Sequence, residues 1–409
     1  MNLEPAQAER RFVLLTTTRW LPVGLTLGLT VLLPLERGLT LAEIGALLAA
    51  AGLVSLALEL PTGGIADTIG RRPLLLAASA VAVVSTAVFV LADTVPWFAV
   101  ALVLQGVFRA LDSGPLESWF VDALHAADPT TGPERGLSRA GAMLGAGIAG
   151  GALVAGLLVA WHPLAVGSAL VLPFLVALAG QLAHLVLVAV LVREPARLRA
   201  TPTQDRAVSA PRAALHLLRE SGVLRWLIAV ELFWAVAMIA FETLTPVRLT
   251  ELLGSEDAAG ALFGPAAAAA WGLFAVGSIL AGAASRRLGV AATAMLARAL
   301  NGGFVVLMGL AAGAAGLVVA FWLSYLTHGA NGPLHNTLLH RQSSPRTRTL
   351  VLSINSAVAA GVASLGLLVL LPLAEAASTA VAMGAAGAFS ALGAACYLPA
   401  WRQERAARP

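Results

Sequence analysis

Glutamates and histidines occur inside long apolar stretches of this sequence. Glu231 and Glu242 lie eleven residues apart in one stretch, and His328 and His335 lie seven apart in another, with Asn331 between them. On a helix, both spacings put the members of a pair on one face. An ionisable group at mid-bilayer costs roughly 3 kcal/mol or more, which makes it a functional candidate. Buried carboxyl and imidazole groups can load and release protons, so these residues suggest proton transfer.

A second polar group lies in an earlier apolar stretch. Gln105, Arg109 and Asp112 follow one another at i, i+4 and i+7, which predicts one shared helix face. Arg109 and Asp112 either neutralise each other inside the protein or form a pair that a substrate or proton opens. Glu117 follows in the same stretch, and its role stays open. Asp122 is expected to face an arginine near the membrane surface, Arg71 or Arg72.

Each of these residues also has a structural interpretation. Glu231 is expected either to face a cavity or to pair with Arg298, and Glu242 either to face that cavity or the outer interface. The two histidines are candidates for proton coupling or for packing hydrogen bonds, and without a third ligand they predict no metal site. Arg19 and Arg298, each early in an apolar run, are expected to reach the membrane surface along their aliphatic stems.

Composition then shows what kind of protein positions these residues. Hydrophobic residues make up 58% of the chain and charged residues 12%, against about 25% charged in a soluble domain. Lysine is absent and Cys396 is the single cysteine, which excludes a P-loop, an intrachain disulfide and a cysteine zinc cluster. We expect no cofactor, a proton gradient as energy source, lipid and a small molecule as partners, no nucleic acid, and a monomer.

Twelve apolar runs are long enough to cross a bilayer as helices of about 20 residues. They are too long and too continuously apolar for the strands of a barrel. They cover residues 13–35, 41–61, 73–92, 96–121, 137–160, 164–192, 223–247, 258–284, 290–312, 315–339, 350–373 and 377–400. The polar stretch 193–222 is expected to link bundles 1–192 and 223–409. Twenty-one arginines fall on one side against two, Arg37 and Arg248, on the other, which predicts a cell-membrane protein with both termini cytoplasmic.

The sequence also repeats. Residues 112–118 (DSGPLES) return 218 positions later as residues 330–336 (ANGPLHN), and residues 63–70 (GGIADTIG) return 219 positions later as residues 282–289 (GAASRRLG). Repeated bundles around a central site are the usual construction of secondary transporters. The prediction is therefore an all-α membrane protein of twelve transmembrane helices in two pseudo-symmetric six-helix bundles.

The segment GGIADTIGRR, residues 63–72, resembles the signature loop of the major facilitator superfamily: Gly63, three residues, Asp67, two residues, Gly70, then Arg71 and Arg72. The resemblance implies that this loop latches the two halves on the cytoplasmic side and controls their rocking. We expect Asp67 near the start of the third span, where a carboxylate favours the positive helix end. The second copy has Arg286 in place of the acid, so the latch is not expected to be symmetric.

The lead-in ELPT, residues 59–62, and the acidic end of span four resemble a branch that contains many drug and metabolite exporters. Span five has the glycines of the exporter signature but not its proline. The leading prediction is proton-coupled efflux of small organic molecules from an apolar cavity, by alternating access. An uptake symporter or facilitator is the alternative. A membrane-embedded serine hydrolase, which would need Ser113 beside His184 or His328, is a distant third.

A substitution tests the latch. Asp67→Asn should slow transport turnover while leaving substrate affinity unchanged, because the carboxylate is expected to act on the conformational change and not on binding. Initial transport rate and equilibrium binding of the same compound measure the two effects. Asp128→Asn, in another connecting segment, is the control, and an Asp67→Asn variant with unaltered rate would contradict the latch.

Overall fold

The structure is a computed structural model that describes residues 3–163, 167–193, 216–344 and 347–407, without the side chains of residues 60–68. Helices form nearly all of this part of the chain, and no strand occurs in it. The helices of the first half are α1 (Pro5–Thr26), α2 (Leu29–Glu36), α3 (Leu41–Ile69), α4 (Arg71–Leu91), α5 (Val95–Asp112), α6 (Pro115–Ala127), α7 (Glu134–Trp161) and α8 (Val171–Leu191). Those of the second half are α9 (Gly222–Ile239), α10 (Thr245–Leu253), α11 (Glu256–Leu288), α12 (Val290–Leu310), α13 (Ala314–Arg341), α14 (Arg348–Ala376), α15 (Thr379–Leu392) and α16 (Leu398–Ala406).

Eleven segments of the described chain are long and apolar enough to span a membrane. The remaining predicted span corresponds to α13, a helix of 28 residues. It falls short in hydropathy because His328, Asn331 and His335 lie within it. The prediction of an all-helical, multi-pass membrane protein is confirmed.

Several predicted continuous spans contain a local break. Gly28 (φ 75°) separates α1 from α2, and Gly114 (φ 90°) separates α5 from α6. Because glycine adopts positive φ at little cost, the chain turns at these points without strain. A π-helical turn, Ala240–Leu244, follows α9, and a 3₁₀ turn, Gly393–Tyr397, follows α15. The span predicted over 96–121 corresponds to the segment Val95–Ala127, which consists of two helices, α5 and α6.

The signature segment also differs from its predicted form. Helix α3 continues to Ile69, and the chain reverses at Gly70, where φ is 104° and ψ is 162°. Asp67 thus lies in the last turn of α3, four residues before the next helix begins. Its side chain lies outside the described ones, so its interaction with the positive end of that helix stays a prediction. Gly289 has nearly the same backbone angles, φ 93° and ψ 159°. The two copies of the repeat therefore share this turn.

The chain divides into two compact units. The first consists of Met1–Leu39, Ala50–Pro202 and Glu256–Ala268, and the second of Thr40–Ala49, Thr203–Ser255 and Ala269–Pro409. The predicted boundaries at residues 192 and 223 stay a prediction, and residues 194–215 of the proposed linker lie outside the described part of the chain.

Glycines allow helices to pack closely within each unit. In the first unit, a Cβ at Gly156 of α7 would lie 2.5 Å from Pro265 Cδ and 2.8 Å from the Ala261 carbonyl of α11. Gly156 belongs to the fifth predicted span, 137–160, and α11 contains the eighth, 258–284. In the second unit, a Cβ at Gly302 of α12 would lie 2.6 Å from the Ala391 nitrogen of α15. Small residues let helix backbones approach in this way.

Substitutions at Gly302 and at the adjacent Gly303 test the contact between α12 and α15. Gly302→Val should destabilise the protein by about 1–3 kcal/mol, because the added side chain meets backbone atoms that cannot move independently. Gly303→Val is the matched control, since nothing lies within 4 Å of a Cβ there. The unfolding midpoint in detergent measures both. Equal midpoints for the two variants would contradict the packing described here.

Candidate functional site

The first unit has a cavity among helices α1, α2, α4, α5 and α8. Its volume is about 80 Å³. Six hydroxyl side chains line it: Thr18, Thr26, Thr30, Ser79, Ser85 and Thr86. Hydroxyls are thus the most frequent polar groups of this lining, which also contains apolar side chains. The predicted apolar cavity, at mid-membrane between the two halves, stays a prediction.

Other polar groups and three aromatic rings complete the lining. Gln105 contributes an amide from α5, and Gln181 a second amide from α8. The Gln181 Oε1 atom is buried without a hydrogen-bond partner among the described residues. His184 lies one turn further along α8, with its Nδ1 atom 2.9 Å from Thr18 Oγ1. The rings are Phe89, Phe108 and Phe174.

An ion pair between α1 and the end of α5 borders this cavity. Arg19 Nε donates to Asp112 Oδ2 at 2.6 Å, and the two side chains are only 10% and 17% exposed. The Arg19 guanidinium also lies over the rings of Trp20 and Phe108, at 4.7 and 4.4 Å from their centroids. Arg19 therefore does not reach the membrane surface as predicted. Asp112 pairs with Arg19 and not with Arg109.

The remaining candidates of the first half lie elsewhere. Arg109 and Glu117 are exposed, so the predicted shared face of Gln105, Arg109 and Asp112 is not a single site. Arg71 forms an ion pair with Asp122, as predicted, and donates to the Ser118 carbonyl at 3.0 Å.

The next residue of the signature segment, Arg72, has a different partner from Arg71. Arg72 donates to the Ala189 carbonyl at 2.8 Å. Gly63 and Asp67 lie in the part of α3 whose side chains are outside the described ones.

A buried hydrogen-bonded network lies in the second unit. Glu231 on α9 is 5% exposed, and Asn355 Nδ2 on α14 donates to its Oε1 atom at 2.8 Å. His335 Nε2 on α13 lies 3.0 Å from Asn355 Oδ1 and 3.3 Å from Glu231 Oε1. His335 Nδ1 lies 3.0 Å from the hydroxyl of Tyr397. Because Nε2 faces two acceptors, it carries the hydrogen in neutral His335, and Tyr397 then donates to Nδ1.

Arg298 brings a positive charge to this network. Its side chain is 2% exposed and lies over Trp234, 5.9 Å from the ring centroid. It interacts with the Tyr397 hydroxyl and with the Glu231 carboxylate. Arg298 is thus a buried charge near Glu231, and the expectation that it reaches the surface is wrong. Glu231 Oε2 and two Arg298 nitrogens, Nε and Nη1, lack hydrogen-bond partners among the described residues.

Glu242 and His328 contact a cluster of aromatic residues that includes Trp234 and Tyr325. Tyr325 donates to Glu242 Oε1 at 3.2 Å, and Glu242 lies within the π-helical turn. His328 stacks on Trp234, whose Nε1 atom donates to His328 Nδ1 at 3.3 Å. The two histidines therefore have different partners, although their spacing is helical.

Asn331 lies between these two groups on α13. It is 3% exposed, and neither atom of its amide has a partner among the described residues. We expect such a buried amide to form hydrogen bonds with water or with a bound ligand.

Sequence reasoning missed several members of these sites. They are Asn355, Tyr397 and Gln181, and an amide or phenol hydroxyl inside a predicted span was the available signal. The distant hydrolase alternative gains no support, since His184 contacts Thr18 and His328 contacts Trp234, while Ser113 is exposed at the break before α6.

Comparisons with known proteins agree with the fold. A family model described as Major Facilitator Superfamily matches residues 13–358. No curated protein matches the chain. A crystal structure of the nucleoside transporter NupG is similar, with a TM-score of 0.79 and 11% identity over 96% of this chain and 98% of that one.

Two further solved structures are similar at low identity. An inward-facing bacterial homolog of the human lysosomal transporter Spinster has a TM-score of 0.74 and 16% identity over 97% of both chains. A D-xylose–proton symporter has a TM-score of 0.69 and 16% identity over 95% of this chain and 96% of that one. At such identities the likeness shows the fold alone.

The ion pair beside the cavity makes a testable prediction. Asp112→Asn should destabilise the protein by about 3–5 kcal/mol, because it leaves the Arg19 charge buried without a partner. The double variant Arg19→Gln/Asp112→Asn should recover most of this loss. Glu117→Gln, on an exposed carboxylate of the same region, is the control. Unfolding midpoints in detergent measure all three, and equal midpoints for Asp112→Asn and Glu117→Gln would contradict the prediction.

Proposed function

The chain belongs to the major facilitator superfamily, and we propose that it is a secondary active transporter that couples small-molecule movement to protons. The observation that carries the coupling is the buried network around Glu231. It combines a carboxylate, an imidazole and a phenol hydroxyl in hydrogen-bond contact, beside a buried guanidinium. Binding at mid-membrane and alternating access would follow the usual behaviour of repeated-bundle transporters.

The hydrogen bonds of this network provide a route for one proton. When His335 gains a proton, its Nδ1 becomes a donor, and the Tyr397 hydroxyl can rotate to accept it. Glu231 lies 3.3 Å from His335 Nε2, so the carboxylate can receive the proton that Nε2 gives up. The Glu231 Oε2 atom is buried and without a partner among the described residues. We propose that the transported proton is held on this carboxyl group and is received at Oε1, the oxygen that faces His335 Nε2.

Protonation of Glu231 would change the balance of charge in the network. With Glu231 ionised, its charge balances that of Arg298, and with Glu231 neutral, Arg298 keeps an uncompensated charge in a low-dielectric surrounding. An uncompensated buried charge is costly. The two protonation states therefore favour different arrangements of the helices that hold them, which is the requirement for coupling.

Direction is a separate part of the proposal. The sequence favoured efflux, through its partial resemblance to exporters and through an expected apolar cavity. The cavity of the first unit is instead rich in hydroxyl groups, which supports uptake of a polar metabolite as the second candidate. We keep the cell membrane, cytoplasmic termini, and the latch role of Gly63, Asp67, Gly70, Arg71 and Arg72 as proposals.

Glu231→Gln tests the coupling. A gradient of one pH unit supplies about 1.4 kcal/mol per proton, enough for a roughly tenfold concentration ratio of substrate. In reconstituted vesicles the native protein should reach such a ratio for a compound identified by screening drugs and metabolites. Glu231→Gln should bring the ratio to about one while retaining exchange of labelled for unlabelled compound, because the neutral amide cannot cycle a proton.

Glu134→Gln, on an exposed acid at the start of α7, is the control and should keep the native ratio. The sign of the imposed gradient separates the two directions. Movement of compound against the proton flow means efflux, and movement with it means uptake. A Glu231→Gln protein that still accumulates compound in response to the gradient would overturn the proposed proton site.

A further inference from the structure

We propose that the cavity of the first unit binds a neutral, multiply hydroxylated molecule with a single sugar-like ring. This inference rests on the proposed function, since it names the class of substrate that such a transporter would carry. It differs from the sequence-based prediction, which was a small organic molecule suited to an apolar cavity. Four properties of the cavity carry it: its hydrogen-bonding character, its charge, its rings and its volume.

The hydroxyl groups of the cavity are arranged to accept hydrogen bonds. Ser79 donates to the Leu75 carbonyl at 2.8 Å, and Ser85 to the Ala101 carbonyl at 2.8 Å. Thr18 and Thr26 donate to carbonyls one turn back on α1. A hydroxyl has one hydrogen to donate and two lone pairs, so these four groups offer only lone pairs to the cavity.

The amide of Gln181 adds another acceptor. Its Oε1 atom is buried and without a partner among the described residues. A buried polar atom of this kind costs free energy until a ligand or water satisfies it. A molecule with several O–H groups would provide hydrogen bonds to this oxygen and to the hydroxyls at once, which an apolar drug could not.

The charges in and beside the cavity balance. Of the described residues that line it, none is a carboxylate. Arg19 lines it, but the carboxylate of Asp112 neutralises the guanidinium at 2.6 Å. A cation would meet no uncompensated acid here, and an anion would have to compete with Asp112 for Arg19. A neutral molecule is therefore favoured, with an oxygen that can accept from the remaining N–H groups of Arg19.

Rings and volume limit the size and shape of the ligand. Phe89, Phe108 and Phe174 line the cavity, and Phe89 stacks on Phe174 at 4.9 Å between centroids. These surfaces suit the C–H face of a saturated ring. The volume of about 80 Å³ is several times the roughly 10–15 Å³ that one water needs. It suits a cluster of water molecules or one small ring, and not a large polycyclic drug.

Equilibrium binding to the full-length protein in detergent, without any gradient, tests this inference. The probes are radiolabelled D-glucose and D-xylose as free sugars, uridine as a sugar joined to a base, tetraphenylphosphonium as a lipophilic cation and benzoate as an anion. We expect saturable binding of a free sugar, and none of uridine, tetraphenylphosphonium or benzoate. The free sugars and uridine together distinguish a ring bound alone from one that carries a base.

Variants locate the bound molecule. Gln181→Leu and Thr86→Val should each raise its dissociation constant by about tenfold, the effect of removing one buried hydrogen bond worth ~1.4 kcal/mol. Thr16→Val is the matched control, since Thr16 is 6% exposed on α1 but does not line the cavity. If Gln181→Leu does not fold, Gln181→Asn withdraws the amide by one methylene and should weaken binding in the same direction.

The outcomes separate this inference from the proposed function. Binding of uridine, tetraphenylphosphonium or benzoate alone, or sugar binding that Gln181→Leu and Thr86→Val leave unchanged, overturns the inference. Proton-coupled movement of a non-hydroxylated compound would still uphold the proposed function in that case. Sugar binding that the cavity variants weaken, without any proton-driven accumulation, upholds the inference and overturns the coupling.

Discussion

The hydrocarbon interior of a bilayer offers no water to a buried polar group, and this constraint governs the structure. A polar side chain inside the membrane must find its hydrogen bonds and counter-charge in the protein. Arg19 finds Asp112, Glu231 finds Asn355 and His335, and Ser79 donates to a carbonyl of its own helix. In a chain with 12% charged residues, these few partnerships decide which helix faces must meet.

The exceptions to this rule mark the candidate sites. Most buried polar groups in proteins have partners, and those that do not require an explanation. In the first unit the unpartnered Gln181 Oε1 lies at a cavity, and in the second unit the unpartnered Glu231 Oε2 lies in a network that can shift protons. Each of these two oxygen atoms has a free lone pair, to which a substrate hydroxyl or a proton can bind.

The sequence predicted the fold well because span length and apolar composition are local properties. Hydropathy found the helices, and the repeat found the shared turn at Gly70 and Gly289. Pairings between helices are not local. Arg19 and Asp112 are 93 residues apart, and Glu231 and Asn355 are 124 apart. No helical periodicity relates such residues, so the sequence offered the nearer but incorrect pair of Arg109 and Asp112.

The two copies of the repeat differ in their buried charges. Asp112 corresponds to Ala330, and the residues 218 and 219 positions after Arg19 are Ala237 and Met238, both uncharged. Both partners of the ion pair are thus missing from the second copy, as expected when an unpaired buried charge is costly. The helix break at Gly114 is missing too, since α13 continues through Gly332. Because buried charges are gained or lost as pairs, one copy can keep a neutral polar cavity while the other acquires Glu231 and Arg298. Under the proposed function, binding a molecule and carrying a proton would then be tasks of different copies of the repeat.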